Sequence, residues 1–478
     1  LVSILIGVST GANSQEGCPG GPCHYVVPTG PGGEAVTDTF YFVHRPLTKD
    51  GSITVRVTSL AEVAESGLTP QGPAHTQAAL VPWSKAGLII TAGPGQGSAY
   101  AAVMVTGSHG TRMQWNYTGD TPGLAGRVSA VSPRWLRLTR AGDVITGYDS
   151  ADGTRWTKIG SVGLPGLAST VQAGLFATSP AYSQQLSQQI SGGSNTGHPT
   201  DATATFDRVG LHGGWPGSSW TGTSVKGGPN SPYVTGHEAG YRPAGSAFTV
   251  TGSGDIAPDV TDGVPIDVLL AGLFLALIAV LVVGAQFMTA EYRRGLIRIT
   301  LAASPRRSRV LAAKALVLGL VAFVAGLAGA AAAVLFGRVV AQNQGLTVFP
   351  VSALTELRAI VGTGLLVAVA AVFTLAVATM LRRSAAAIMV AIVAIVLPFF
   401  LAFTSAVPQS VGDWLLRITP AAAFALQQPM TQYHQVIASY RPMAGFFPLA
   451  PWVGFAVLCA WAAVALGGAG WLLRRRDA

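Results

Sequence analysis

Five apolar runs follow Pro265, at about 266–287, 310–337, 357–381, 385–407 and 451–473, and no other feature limits what this chain can fold into as much. A helix needs about 20 apolar residues to cross ~30 Å of hydrocarbon. Backbone in hydrocarbon must also close its own hydrogen bonds, which leaves helices or closed barrels. The runs are continuous, without the alternation of barrel strands, so they read as membrane-spanning helices. Composition agrees, since 49% hydrophobic and 11% charged residues in a chain of 478 suit a protein with part of its surface in lipid.

Charge is divided along the same line. Residues 266–478 carry 16 Lys and Arg against 5 Asp and Glu, a net +11, whereas residues 1–265 carry 14 against 16, a net −2. The basic excess therefore flanks the apolar runs, and no basic stretch with interleaved aromatics is left in the first half for nucleic acid. The links after the first and third runs hold Arg293, Arg294, Arg298, Arg306, Arg307 and Arg309, then Arg382 and Arg383, and the last run ends in Arg474, Arg475 and Arg476. The alternate links carry only Arg338, then Arg417 and Arg441. The positive-inside rule places the basic links and the C-terminus in the cytoplasm and residues 11–265 outside a cytoplasmic membrane crossed several times.

Residues 1–10, LVSILIGVST, are shorter than a span needs and are expected to be the end of a truncated first transmembrane helix, which brings the expected spans to six. The tail of a signal peptide is the competing reading, and no A-x-A cleavage site follows to favour it. From 11 to 212 the sequence is rich in Gly, Pro, Ser and Thr, with short alternating runs such as Ser52 to Thr58 and Trp135 to Thr139, the pattern of half-buried antiparallel strands. Many such runs predict an all-β sandwich. Asp149, Asp152 and Gly153 read as a hairpin turn, and residues 213–265 as a Gly/Pro-rich subdomain or linker. Cys18 and Cys23, in CPGGPC, are expected to form a disulfide outside the cytoplasm. A zinc half-site is the competing reading, and no second Cys pair completes it.

Asp267 and Lys314 lie near run ends, where a side chain can reach the interface. The runs carry no midplane carboxylate or His of the kind that proton- or sodium-driven transporters use. The dipeptide Gly-Lys is absent, so there is no phosphate-binding loop. These observations predict a chain that is not itself an enzyme and holds no metal or cofactor. Any ATP and Mg are expected on a partner.

The segment from Glu291 to Arg309, EYRRGLIRITLAASPRRSR, leads into VLAAKAL. With Leu381-Arg-Arg-Ser384 and Trp414-Leu-Leu-Arg-Ile-Thr-Pro420, it resembles ABC-2 type transporter permeases, particularly the actinobacterial kind. The resemblance implies a helical six-span core and a permease that exports a substrate with ATP hydrolysed by a separate ATPase subunit. It also implies a second permease copy or homologue as partner, and a coupling helix on the ATPase to which Glu291, Arg293, Arg294 and Arg298 belong. The large insertion between the first two spans departs from the family pattern.

Within that insertion, Trp135 to Gly142, Val144 to Gly160, Val171 to Ser179 and Thr203 to Val209 resemble concanavalin-like (laminin-G or glucanase-like) jelly rolls. This resemblance implies a glycan of the cell envelope as a partner, with Trp135, Trp156 and Tyr148 as contacts. No pair of carboxylates can be assigned as the acid and nucleophile of a glycosidase. The alternative function is a membrane-anchored glycan-binding or cell-envelope sensor.

Overall fold

A computed structural model describes residues 27–66, 75–78, 80–183, 197–198, 200–217, 219–225, 239–260, 264–293, 307–343, 348–404, 406–436 and 440–476. The expected helix end at 1–10, the Cys18–Cys23 disulfide, and Arg294 and Arg298 lie outside the described residues. The chain divides into a β unit, which spans residues 25–260 and also takes in 433–438, and a helical unit.

The β unit is a sandwich of two antiparallel sheets. One has eight strands among the described residues, in the order Thr157–Gly163, Val144–Ser150, Arg134–Ala141, Gly51–Ser66, Thr200–Gly213, Ala247–Gly252 and Gly240–Ala244, with His75–Ala78 paired to Gly51–Ser66. The other has seven, in the order Thr221–Val225, Phe40–Thr48, Thr170–Thr178, Lys85–Thr91, Tyr100–Thr106, Thr111–Trp115 and Gly119–Pro122. Alternation directs Val55, Leu88, Val103, Leu136, Leu175, Phe206 and Val250 into one core between the sheets. The outer face of the seven-stranded sheet buries a second cluster that includes Phe42, Met104 and Phe176, together with Val36 and Ile256 of a two-stranded ribbon.

The stretch expected as a subdomain or linker is neither over its described strands. Thr221–Val225 forms an edge of the seven-stranded sheet, and Gly240–Ala244 with Ala247–Gly252 extends the eight-stranded one. Their apolar residues are spaced for a sheet face: Val250 is fully buried opposite Ala204. The hairpin turn also differs from expectation. Asp152 Oδ1 accepts bonds from the amides of Thr154 and Arg155, both at 2.8 Å, while Asp149 is buried and accepts from the amide of Leu124.

Several buried polar groups of the β unit are held in pairs. Lys85 Nζ, fully buried, donates to Asp255 Oδ1 at 2.6 Å and to the carbonyl of Ile256 at 2.8 Å. Asp38 Oδ2 accepts from the Tyr117 hydroxyl at 2.7 Å and the Gly97 amide at 2.9 Å. Gln435, in the segment between the fourth and fifth membrane-capable helices, donates to the carbonyls of Tyr117 at 3.0 Å and Thr118 at 3.3 Å.

Among the described residues the helical unit has five helices long and apolar enough to cross a membrane: Leu273–Tyr292, Ser308–Asn343, Ala353–Leu381, Ser384–Phe403 and Pro451–Arg475. The third is 72% buried and the others 28–33%, so the third is the centre around which the rest pack. Their outward faces stay apolar, with Leu316, Phe336 and Val464 exposed. Small residues let helices approach closely, as in membrane packing generally. A Cβ at Gly326 of the second would sit 3.1 Å from the Gly364 Cα of the third. Hydroxyls within the third span satisfy themselves, Thr363, Thr374 and Thr379 donating to the carbonyls four residues earlier. The fourth contains a π-helical turn, Ile392–Val396, just before Pro398, where the proline's missing donor interrupts the regular ladder.

Between the fourth and fifth spans lies a strongly amphipathic helix, Gln409–Ile418, followed by a buried 3-10 segment, Pro420–Gln427. The sequence reading assigned no element there, because the apolar positions are too few for a span. Asp267 was expected at the interface and is buried beside Gly445.

Two outcomes are expected. Replacing Asp255 with Ala leaves the Lys85 ammonium buried and unpaired, which should cost the β unit about 3–5 kcal/mol in denaturant unfolding followed by tryptophan fluorescence. Burial, the largest influence, raises the Asp38 carboxyl from 3.8 to about 6, against the opposing bonds from Tyr117 and Gly97. The folded state thus binds this proton more tightly than the unfolded chain. Its contribution to stability is full below about pH 4 and is lost as pH rises through 6, by up to about 3 kcal/mol. The pH profile of unfolding should flatten over that window in Asp38→Asn.

Candidate coupling end and the solvent face of the β unit

At one end of the helical unit three basic segments converge. The first span ends in Glu291 and Tyr292, and Glu291 Oε1 accepts a bond from Lys314 Nζ near the start of the second. Lys314, expected to reach freely to the interface, is thus held in place, with its ammonium 5.3 Å from the centroid of the Phe287 ring. Arg382 closes the third span in a left-handed conformation, φ 55°, its amide bonded to the Ala378 carbonyl, and its guanidinium lies 5.2 Å from the Tyr292 ring. Met380, two residues earlier, faces Gly468 of the fifth span, which runs on to Arg474 and Arg475.

Of the residues expected to couple, Glu291 is fixed between two spans, Arg293 is the last helical residue, and Arg294 and Arg298 fall in the undescribed part. The second oxygen of Glu291, Oε2, is buried without a hydrogen-bond partner among the described residues.

The opposite end is polar in a way the sequence reading missed. Arg338 pairs with Glu356 at 2.9 Å, Arg358 donates to the Gln428 carbonyl, and Gln427 Nε2 donates to Thr363 Oγ1 at 3.0 Å. Glu356 and Arg358 sit at the start of an apolar run and were absorbed into it. The i, i+2 charge pair just before Ile360 was the signal available.

Trp135, Tyr148 and Trp156 lie together on the solvent side of the eight-stranded sheet. Register places Trp135 opposite Arg56, and Arg137 opposite both Thr54 and Tyr148. Both indoles are contacted by cations. The Trp135 ring packs on Gly153, where a Cβ would come within 2.6 Å and φ is +76°, and it has the guanidinium groups of Arg56 and Arg208 at 5.8 and 5.7 Å. Arg137 stacks 3.9 Å from the centroid of Trp156. Arg56 also forms a two-pronged pair with Asp207, at 2.8 and 2.5 Å, and these bonds hold the Asp207 carboxyl below its ordinary range. Among the described residues no group of three or more His, Cys, Asp or Glu could hold a metal ion.

Comparison with known proteins gives one family. The family model described as "ABC-2 family transporter protein" matches residues 156–478, a longer stretch than the resemblance noted from residue 266. No curated protein matches the chain. Solved structures similar to it include a functionally unknown protein from Saccharomyces cerevisiae, at 14% identity over 36% of this chain and 74% of that one, with a TM-score of 0.23. Scytalido-glutamic peptidase aligns at 8% identity over 45% of this chain and 98% of that one, TM-score 0.29. The GH43 protein BlXynB from Bacillus licheniformis aligns at 16% identity over 34% and 27%, TM-score 0.20. Scores this low support no inference about function.

The Glu291 contact gives a direct test. Glu291→Lys should face Lys314 with a like charge and lower the thermal midpoint of the solubilised protein. Adding Lys314→Glu should restore most of the loss, and a double mutant no better than either single would mean the two side chains do not interact.

Proposed function

Because the chain belongs to the ABC-2 family of transporter proteins, we propose that it is the permease subunit of an ATP-driven exporter, working with a separate ATPase subunit and a second permease copy or homologue. The observation that supports this most directly is the convergence of the basic links at one end of the helical unit. Glu291 with Lys314, and Tyr292 with Arg382, fasten the ends of the first three spans to one another there. A push on the link between the first two spans would then be felt by the buried third span. Interiors this closely packed move as bodies and deform little.

In this reading Glu291 holds the link against the second span, and Arg293, Arg294 and Arg298 present positive charge to the ATPase. The basic end faces the cytoplasm and residues 11–265 lie outside it, where the Cys18–Cys23 disulfide would persist. Single cysteines placed in the β unit should react with an impermeant maleimide in whole cells, while one placed beside Arg306 should not. The reverse pattern would invert the topology.

Coupling is tested by changing Arg293, Arg294 and Arg298 together to Glu. Repulsion at an interface can cost several kcal/mol, while Arg306, Arg307, Arg309 and Lys314 still hold the link inside. The expected product is a membrane-inserted protein that loses its co-purifying ATPase. Full retention of the ATPase together with normal transport would reduce the link to a topological anchor.

A further inference from the structure

Along the sequence the first 265 residues are slightly acidic, yet the sheet register sorts their charge by face. Val55, Val57, Leu136, Leu138, Ile145, Phe206 and Val250 point into the core. Their sequence neighbours therefore point to solvent. That outer face carries Arg56, Arg137 and Lys158, which register aligns across adjacent strands through Trp135 and Tyr148. Arg208 lies over Trp135, and Arg242 stands opposite Thr249, which in turn faces Thr205. Five cations thus share one face. The described carboxylates that its strands turn to this face are Asp207, already paired with Arg56, and Asp201, which is buried, while Asp152 is exposed in the adjoining loop and accepts from the amides of Thr154 and Arg155.

Between the cations run hydroxyls. Thr146 bonds Ser161 at 2.8 Å and Thr203 bonds Thr251 at 2.9 Å, and Thr139, Thr205 and Thr249 extend the rows. Six inter-strand steps separate the strand of Lys158 from that of Arg242, on the order of 30 Å at ~4.8 Å per step. Trp135 packs on Gly153 and beside the guanidinium groups of Arg56 and Arg208, and that of Arg137 occupies one face of Trp156. A guanidinium so placed loses less freedom on binding a carboxylate.

We propose that the solvent face of the eight-stranded sheet binds an extended anionic polysaccharide, whose carboxylates meet Arg137, Lys158, Arg208 and Arg242 and whose hydroxyls meet the threonine rows. The proposal rests on the reading of the β unit as a module that contacts envelope glycan and adds the ligand's charge and the face it uses. To the expected contact role of Trp135 and Trp156 it adds that of supporting cations. A base-stacking ligand such as single-stranded nucleic acid fits less well, because cations already occupy a face of each of these rings.

The full chain in nanodiscs should bind polygalacturonate, and not neutral dextran of the same length, with an affinity that falls as salt rises. Lys158, Arg208 and Arg242 are exposed. Changing all three to Glu should therefore weaken binding at least tenfold while leaving circular dichroism unchanged. If that variant proves misfolded, the single exposed change Arg242→Glu, expected to weaken binding severalfold, carries the test. The Arg293, Arg294 and Arg298 to Glu variant controls for charge in the helical unit and should bind normally. Equal binding of dextran would overturn the anionic requirement while leaving a glycan-contacting module in place. Equal binding of single-stranded DNA would overturn the polysaccharide assignment. Loss of binding in the loop variant alone would overturn the face, and binding to neither polymer would overturn proposal and module together. None of these outcomes bears on ATPase co-purification.

Discussion

A peptide group in hydrocarbon without a partner costs several kcal/mol, and no water is at hand to supply one. The helical unit is arranged around that constraint. Its long helices close their own ladders, and the threonines of the buried third span return their hydroxyls to carbonyls one turn back. The one described span interrupted by an interior proline takes up the missing donor in a π-helical turn. The ion pairs among its described residues lie at the ends: Glu291 with Lys314 at one, Arg338 with Glu356 at the other. With so little polarity inside, close approach of small residues such as Gly326 and Gly364 becomes the means by which one helix is held against the next.

The β unit meets water and is built by a different rule. Two sheets enclose one core, and a second apolar cluster covers the far side of the seven-stranded sheet, so among the described residues the broad polar face is that of the eight-stranded sheet. Charges that enter the interior come with partners, Lys85 with Asp255 and the Ile256 carbonyl, and Asp38 with Tyr117 and Gly97. Asp255 precedes the ribbon strand Ile256–Pro258, so this pair fixes the chain just before it leaves the unit.

The five spans could be read from the sequence because each is a long run whose meaning depends on nothing distant. The strands around Val55 and Leu136 were legible for a related reason, since alternation is local. Asp149 was misplaced because a turn residue and a buried acceptor look alike until the partner amide, that of Leu124, is known. Asp267 was assigned to the interface by its position near a run end, and only the packing of Gly445 and its neighbours buries it. The amphipathic helix Gln409–Ile418 was missed because its pattern was weighed only as a possible span. Gln435 gave no signal at all, since its acceptors are more than 300 residues away.

By itself the sequence determined that this chain enters a membrane several times, that a strand-rich region precedes the last five spans, and which links are basic. Those properties are sums over neighbouring residues, and hydrophobicity and charge bias add locally. It also pointed to the absence of a basic surface in the first half, and there the tertiary structure decided otherwise. Arg56, Arg137, Lys158, Arg208 and Arg242 are scattered among acids along the chain, and they share one face only because antiparallel register aligns their strands while the side-chain period of two turns the apolar residues inward. A property that depends on which strands are neighbours is not a sum over the sequence, so only the fold could set it.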